Sequence, residues 1–361
     1  MSTENRLVNR VKTFREARNW SQAELAERTG LSRPGISAIE GQRLVPSVEA
    51  ALLLAKAFAC AVEDLFGPAP EQPDTKIPWA WQPTIFPCRY WIAEIAGRTW
   101  AIPVESSPLG LPHDGIARTI HDAMLPTDAR HQTLVLATCD PAAPLLAREY
   151  EQQTGMRMLI LSRSSQASWE LLQQGVVHAA GIHWAEANNP QGNAIALRDR
   201  AAQASLQLLH VADWQEGLAV DRSHHLRKVR QAIAPGLRWV GREAGAGARR
   251  CQDAVLGERP APKRTARDHR GVVEAIRNGW ADIGVCLRLS SEEGHLDFLP
   301  LNEDRYELCF PTSLSRDPRL LALVKVVRSE AYRKLLGELP GYSAKGCGEM
   351  QVVESALSPK K

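Results

Sequence analysis

The chain has 361 residues, and the usual size of about 100–200 residues per domain predicts two or three folded units. Its composition is that of a globular protein, with 44% hydrophobic and 24% charged residues. No apolar run approaches the ~18 residues of a membrane span. These features exclude a disordered chain and a membrane-spanning one. The net charge of +3 is too small to indicate a partner by itself.

The N-terminal segment and the cysteines indicate the cellular compartment of the protein. The N-terminus is polar and charged and lacks the apolar centre of a secretory signal. The seven cysteines are irregularly spaced and include no CxxC pair, which favours reduced thiols over a disulfide framework. The sequence therefore predicts a cytoplasmic protein with no membrane partner.

Residues 19–40 have the pattern of two short helices joined by a glycine turn. Ser21 and Glu24 form a capping-box pair that predicts a helix start, and Gly30 is placed to end that helix. A second helix follows Ser32 and Pro34. The local pattern is that of a helix-turn-helix.

Further short helices are predicted on both sides of this pair, up to residue 67. The one that begins after residue 47 has one apolar face, formed by Val48, Leu52, Ala55 and Phe58. Residues 1–43 contain eight basic and five acidic residues. Such an excess suits contacts to phosphates, although a solvated helical surface has the same composition.

The stretch WSQAELAERTGLSRPGISAIEGQRLVPSVEAALLLAKAF resembles the Cro/repressor-type helix-turn-helix of bacterial regulators. The resemblance implies double-stranded DNA as a partner, with the second helix of the pair in the major groove. Arg33 then pairs with a guanine edge or contacts a phosphate, and Glu40 is a structural partner for a basic residue of the first helix. The residues implied to contact DNA are Ser21, Gln22, Ser32, Arg33, Pro34, Gly35, Ser37 and Arg43.

Pro34 and Gly35 stand where the family usually has base-reading polar side chains. This departure predicts that DNA shape has a larger share in recognition.

A proline-rich linker is predicted at residues 68–78. Two aromatic-rich runs, at 89–95 and 98–102, then predict a small β element within residues 79–125. Its tryptophans either form a ligand cage or pack a small sheet. The isolated His-Asp pairs at 113–114 and 121–122 lack the further ligands of a metal centre, so no metal site is predicted.

From residue 133 the pattern changes to strands alternating with helices. Buried strands at 134–137, 158–161 and 176–180 predict a β-α-β-α-β unit with a parallel sheet. A second block contains a strand at 237–240 and a glycine loop at 241–249, and two further strands are expected near 297–301 and 306–310. Similar helix–glycine–strand segments at 170–180 and 274–284 indicate two lobes of like construction.

Ligands of open α/β sheets bind at the carboxyl ends of strands, where helix N-termini attract anions. Hydroxyls in the first lobe and arginines in the glycine loop of the second suit the same ligand. A clamshell closing on a small anion is predicted, unless the serines are only helix caps and the glycines only a turn. The candidate ligand-binding residues are Thr138, Cys139, Asp140, Ser164, Ser165, His183, Arg242, Gly245, Gly247 and Arg249.

This region also resembles the periplasmic-binding-protein-like domain related to molybdate-binding proteins, on TLVLATCDPAAPLLAREY, SSQASWELLQQGVVHAAGIHW, GLRWVGREAGAGARR and GVVEAIRNGWADIGV. The resemblance implies a two-lobed α/β domain of type II at 133–350. Lobe 1 is then about 133–205 plus 306–345, and lobe 2 about 206–305. It also implies an oxyanion effector such as molybdate or tungstate.

Two departures from that family bear on the ligand. The loop has Ala246 and Ala248 where relatives have hydroxyl residues, and Asp140 repels an oxyanion unless it is occupied as a helix cap.

The sequence as a whole predicts a multidomain protein: an all-α helix-turn-helix domain at 1–67, the linker, the small β element and the two-lobed α/β domain. We expect a one-component transcriptional regulator that acts as a homodimer and senses a small molecule without a cofactor. No nucleophile elbow, HExxH, Walker or dinucleotide motif is present, so we do not expect an enzyme. In the alternative, the C-terminal domain binds a different small organic ligand or serves only for dimerisation.

Overall fold

The computed structural model describes residues 9–66, 76–106, 110–124, 132–198, 200, 205–233 and 236–354. The chain forms two compact units, Met1–Thr75 and Lys76–Lys361. Most of the predicted linker at 68–78 lies outside the described residues. Within the described ranges, no helix has the length and apolar character needed to cross a bilayer.

The described part of the first unit is a bundle of short helices. Ser21 Oγ accepts a hydrogen bond from the Glu24 amide, and the Glu24 carboxylate accepts one from the Ser21 amide, which confirms the predicted capping box. Gly30 ends the same helix with a φ of 68°. The bundle core includes Leu25, Ile36 and Phe58. The helices are α1 (Val11–Glu16), α2 (Gln22–Thr29), α3 (Arg33–Glu40), α4 (Val48–Phe58) and α5 (Val62–Phe66).

Helix α4 does not bury the predicted face. Ala55 and Phe58 are buried, but Val48 is 79% exposed and Leu52 is 56% exposed. Leu54 is buried in their place. Because this helix has apolar side chains around most of its circumference, periodicity did not decide which face packs.

The second unit begins with a three-stranded antiparallel sheet of order β2-β1-β3, formed by β1 (Cys88–Ile95), β2 (Arg98–Pro103) and β3 (Gly115–Ala117). The first two strands were predicted and the short third one was not. Trp91 and Trp100 pack in the same apolar cluster as Leu159. These two tryptophans therefore hold the small sheet against the following domain, in agreement with the packing interpretation.

A ten-stranded sheet runs through the rest of the second unit, with the main order β5-β4-β6-β11-β7-β10-β8-β9 and with β12 and β13 paired to β7. Its strands are β4 (Thr133–Thr138), β5 (Arg157–Ser162), β6 (Ala179–Glu186), β7 (Leu206–Val220), β8 (Trp239–Arg242), β9 (Arg264–Ala266), β10 (Ile283–Leu287), β11 (Asp297–Pro311), β12 (Tyr342–Ser343) and β13 (Met350–Val353). The helices of this unit are α6 (Ala143–Thr154), α7 (Ser165–Gln173), α8 (Gly192–Arg198), α9 (Val229–Ala232), α10 (Gly247–Leu256), α11 (His269–Arg277), α12 (Arg288–Glu293), α13 (Pro318–Arg328) and α14 (Glu330–Gly337).

The first lobe contains β4, β5 and β6, which are parallel as predicted. The third of these strands was placed too early, at 176–180. The amide of Val176 donates to Leu171 O at the end of α7, so the chain is still leaving the helix there, and β6 begins at Ala179.

The second lobe contains β8, β9 and β10, which are also parallel to one another. Strands β7 and β11 belong to both lobes. They pair antiparallel with each other over nearly their full length. In addition, β7 pairs antiparallel with β10 of the second lobe, and β11 pairs antiparallel with β6 of the first. The segments expected as separate strands at 297–301 and 306–310 are parts of the single strand β11, which shifts register within this span. This strand pair is the connection between the lobes.

Candidate functional site

The start of α3 is open to a partner in the described part of the first unit. Ser32, Arg33 and Pro34 are exposed, and Ser32 Oγ caps the helix by accepting from the Gly35 amide. Gly35 and Ser37 are half-buried, and Ser21 and Arg43 are exposed. The side chain of Arg33 forms no hydrogen bond or ion pair with the described residues, so its guanidinium is free to contact a ligand such as DNA.

Behind this surface, Glu40 joins three helices. Its carboxylate accepts two hydrogen bonds from Arg15, at 2.7 and 3.0 Å, and a third from the Gln22 amide at 2.9 Å. The prediction that Glu40 pairs with a basic residue of the first helix is confirmed. Gln22 is held by the same carboxylate, which fixes its position at the start of α2.

In the first lobe of the second unit, the residues after β4 are tied to one another. Thr138 Oγ1 lies 2.6 Å from the Tyr306 hydroxyl and accepts from the Asp140 amide. Asp140 Oδ1 accepts from the Ala142 amide and from the Tyr342 hydroxyl. The Asp140 carboxylate therefore already accepts two hydrogen bonds from the protein near the start of α6. Burial raises the pKa of Asp140 to about 6, although these two donors oppose the shift.

The serines at the next helix start also have structural partners. Ser164 Oγ accepts from the Ala167 amide and caps α7, while Ser165 Oγ accepts from the His183 amide. Both serines are buried. In both bonds the hydroxyl acts as an acceptor, and neither serine lines the cavity described below.

The glycine loop of the second lobe reaches the first lobe. A Cβ added to Gly247 would overlap the His183 ring, and one added to Gly245 would lie 2.9 Å from Gln166 Cβ. Only glycine allows this approach. The loop does not turn both arginines the same way: Arg242 is 1% exposed, whereas Arg249 pairs with Asp253 on its own helix at 2.7 Å and is partly exposed. The Arg249 guanidinium also donates to the backbone carbonyl of Arg242 at 3.3 Å, so it contacts the backbone of this loop and not the buried side chains.

His183 and Arg242 belong to a cluster of buried polar side chains where the lobes meet. His183 Nδ1 lies 3.3 Å from Asp304 Oδ2, and ligand atoms of His183, Asp304 and Glu216 all lie within 4.8 Å of one another. Arg242 Nη1 lies 3.2 Å from His269 Nδ1. All five side chains belong to residues that are at most 2% exposed.

The pKa shifts in this cluster follow from burial and from the neighbours. Burial alone would lower the pKa of His183, but Cys139 and Asp304 outweigh it and hold that pKa well above its usual value. Burial and the nearby Asp304 raise the pKa of Glu216 to about 7. Burial, Arg242 and His183 hold the pKa of His269 well below its usual value.

Next to the cluster lies a cavity of about 640 Å³ between the lobes. Thr138, Cys139 and Asp140 line it from the first lobe, and Asp268, His269 and Arg270 at the start of α11 line it from the second. Its size is that of a small-molecule site. The ten predicted ligand residues are therefore divided. Thr138, Cys139 and Asp140 line the cavity, and His183 and Arg242 lie in the buried cluster. Among the residues that do not line the cavity, Ser164 and Ser165 have structural partners, Gly245 and Gly247 lie against side chains of the first lobe, and Arg249 pairs with Asp253.

Residues 147–328, just over half of the chain, match the model of the PBP superfamily domain. The chain belongs to the PBP superfamily. Residues 11–65 match a helix-turn-helix model. Neither of these two models is of an enzyme family.

Individual proteins match over separate parts of the chain. Protein YvgK of Bacillus subtilis is 26% identical over 189 residues, which are 50% of this chain and only 60% of that relative. The HTH-type transcriptional regulator YgzD, also of B. subtilis, is 41% identical over 60 residues, 17% of this chain and 91% of that relative. An ABC-type phosphate transport receptor from Vibrio cholerae is 15% identical with a TM-score of 0.42, covering 58% of this chain and 99% of that structure.

Three residues of the PBP superfamily domain's buried cluster were missed in the sequence analysis: Glu216, Asp304 and His269. Glu216 follows Asp213 and Gln215 on β7, so a second charged residue on the same strand hid any local signal that would have marked it. Asp304 and His269 had no local signal either. Their role depends on partners that are distant in the chain.

Proposed function

We propose that the protein is a DNA-binding transcriptional regulator whose PBP superfamily domain senses a small anion. In this proposal residues 1–67 bind DNA and residues 133–350 bind the effector. The observation that supports an anionic effector is the environment of Arg242. Its guanidinium is buried, its Nε has no hydrogen-bond partner, and no carboxylate lies within ion-pair distance among the described residues. A buried cation without a counter-ion is unfavourable, and an anionic ligand would supply one.

The cavity beside Arg242 supports the same ligand class. Arg242 does not itself line the cavity, but its Nη1 lies 3.2 Å from Nδ1 of His269, which does. Asp140 lines the same cavity, and its Oδ1 is already occupied by the Ala142 amide and the Tyr342 hydroxyl. An oxyanion that accepts hydrogen bonds from neighbouring hydroxyls is the effector we propose, with molybdate and tungstate, implied by the sequence resemblance, as the first candidates.

The effector is tested by thermal unfolding of the full-length, metal-free protein with molybdate, tungstate, phosphate, sulfate and small carboxylates. A ligand that binds only the native state raises the unfolding temperature in a saturable way. We expect one oxyanion to do so, and we expect Arg242→Met to abolish the shift. Arg230→Met is the control, because it removes an exposed arginine of α9 that does not line the cavity. No shift with any anion contradicts the proposal and favours a domain that serves only for dimerisation.

The DNA end is tested at Arg33, which is exposed at the start of α3. We expect sequences selected from a random duplex pool by the Arg33→Ala variant to lose preference at one position, by about 1–3 kcal/mol. Lys56→Ala is the control, because it removes an exposed lysine side chain from α4. We expect this variant to keep the DNA sequence preference of the parent. If Arg33→Ala weakens binding to all DNA sequences equally, Arg33 contacts a phosphate instead.

Control of DNA binding requires that the anion favour one arrangement of a dimer. A coupling free energy of about 1–3 kcal/mol between the two sites is typical of such regulators. Dimerisation is part of the proposal because helix-turn-helix proteins commonly bind two-fold operators as symmetric dimers.

A further inference from the structure

Three metal-ligating side chains meet on neighbouring strands of the large sheet. His183 is on β6, Asp304 on β11 and Glu216 on β7, and these strands are adjacent in that order. One nitrogen and two carboxylate oxygens from these residues lie within 4.8 Å of one another. The residues are 1%, 2% and 1% exposed, respectively. The sheet thus brings three metal-ligating groups to one buried point.

The unsatisfied carboxylate of Glu216 gives independent evidence that a ligand can bind at this position. Both oxygens of its carboxylate are buried and have no hydrogen-bond partner among the described residues. Buried polar atoms are normally satisfied, and a buried carboxylate without a partner is strongly unfavourable. The contact between His183 and Asp304, at 3.3 Å, is also longer than the ~2.7–2.9 Å of a charge-assisted hydrogen bond. Of the three groups, Glu216 is thus the one whose carboxylate oxygens remain unsatisfied.

We propose that His183, Glu216 and Asp304 bind a divalent first-row transition metal, with Zn²⁺ as the representative ion. One imidazole and two carboxylates form a donor set that zinc accepts, and a three-residue set leaves a fourth position open. Ligand atoms about 2.1 Å from a tetrahedral ion lie roughly 3.4 Å apart. The present atoms, which lie within 4.8 Å of one another, are therefore at most about 1.4 Å farther apart than this spacing.

Neighbouring residues hold two of the ligands in place. The Asn302 amide donates to Asp304 Oδ1 at 2.6 Å, which leaves Oδ2 directed toward His183. The Trp214 ring packs edge-on against the His183 ring, with centroids 5.1 Å apart. Such contacts orient metal ligands and raise the affinity of a site.

The site also depends on the approach of the two lobes. Gly247, at the start of α10 in the second lobe, lies against the His183 ring in the first. A metal on His183, Glu216 and Asp304 would be covered by this loop. The proposed ion is therefore a second effector of the domain, distinct from the anion beside Arg242, and its occupancy would favour the closed lobes.

The test uses the full-length protein after treatment with EDTA and its removal, titrated with Zn²⁺ alone by calorimetry. We expect saturable binding of one ion per chain and a higher unfolding temperature. Glu216→Gln keeps the shape of the side chain and removes a buried charge, so this variant should fold; we expect it to weaken binding by roughly tenfold or more. Asp304→Asn is expected to act in the same direction.

The matched control is Glu303→Gln, which removes an exposed carboxylate next to Asp304 on the same strand and should leave the affinity unchanged. In the Co²⁺-substituted protein, intense visible absorption bands would report a tetrahedral ion, and their loss in Glu216→Gln would locate it. The proposal is overturned if no ion binds, or if binding survives both Glu216→Gln and Asp304→Asn. Because the anion is tested without metal and the metal without anion, the failure of one proposal leaves the other standing.

Discussion

The bonds of Glu40 show how one buried side chain supports a DNA-binding surface that it does not form. Its carboxylate is 3% exposed and is shared by Arg15 on α1 and Gln22 on α2. The capping box of α2 was readable from the sequence because both partners lie within one helical turn. The pairing of Glu40 came from the resemblance to a family, since its partners are distant in the chain.

Replacing Glu40 with alanine is expected to destabilise the first unit by about 2 kcal/mol, because Arg15 then keeps a buried charge without its partner. Hydrogen exchange measured by mass spectrometry should show faster exchange of the α2 and α3 amides. Glu16→Ala is the control: it removes a carboxylate that is 56% exposed and 3.6 Å from the same arginine. Equal effects of the two variants would contradict the role given to Glu40.

Asp282 predicts how the free energy of unfolding depends on pH. It accepts hydrogen bonds from the Arg238 side chain and backbone, which lower its pKa to about 2. Because the folded pKa lies below the unfolded value of about 3.9, the stabilisation is complete above that pH and is lost as the pH falls toward 2. Arg238 is 59% exposed, so solvent screening reduces the contribution to about 1 kcal/mol.

The free energy of unfolding of the Asp282→Asn variant should therefore fall below that of the parent by this amount at pH 6, and the difference should shrink below pH 4. Urea unfolding at several pH values measures it. Asp253→Asn, in an exposed pair within one helix, serves as the control. A difference that grows with acid would show that another group carries the effect.

At the scale of elements, the approach of α10 to β6 defines where the lobes meet. The sequence predicts that the glycine loop before α10 allows close approach of the backbone to a ligand. In the structure Gly247 approaches a side chain of the other lobe, His183. The loop thus has a packing role that local sequence did not specify.

Gly247→Ala tests this role. The added methyl group overlaps the His183 ring, and we expect a loss of about 1–3 kcal/mol in the free energy of unfolding as the lobes move apart. Gly337→Ala is the matched control, because nothing lies within 4 Å of the added atom at the end of α14. Denaturant unfolding compares the two. Unchanged stability of Gly247→Ala would mean that the loop adjusts without cost.

At the scale of the whole molecule, the proposed dimer can be tested at the exposed apolar residues of the first unit. Leu44, Val45, Val48 and Leu52 are 48%, 86%, 79% and 56% exposed and follow one another closely in the chain. Apolar residues grouped on a surface commonly mark an interface. They are the residues through which we expect two copies to meet.

Sedimentation of Val48→Lys should show at least a tenfold weaker dimer than the parent, because a charge is then placed in the apolar contact. Ile195→Lys, a change at a residue that is 52% exposed in the second unit, should leave the dimer intact. A parent protein that remains monomeric, both free and on DNA, would rule out dimerisation.

The sequence by itself determined the order of the units, the helix-turn-helix with its caps, and the parallel strands of the first lobe. These features depend on interactions between residues close in the chain, on capping spacings and on runs of buried apolar residues. Only the tertiary structure decided which face of α4 packs, how β7 and β11 join the lobes, and how His183, Glu216 and Asp304 meet. Those outcomes depend on contacts between strands far apart in the chain, which no local pattern specifies.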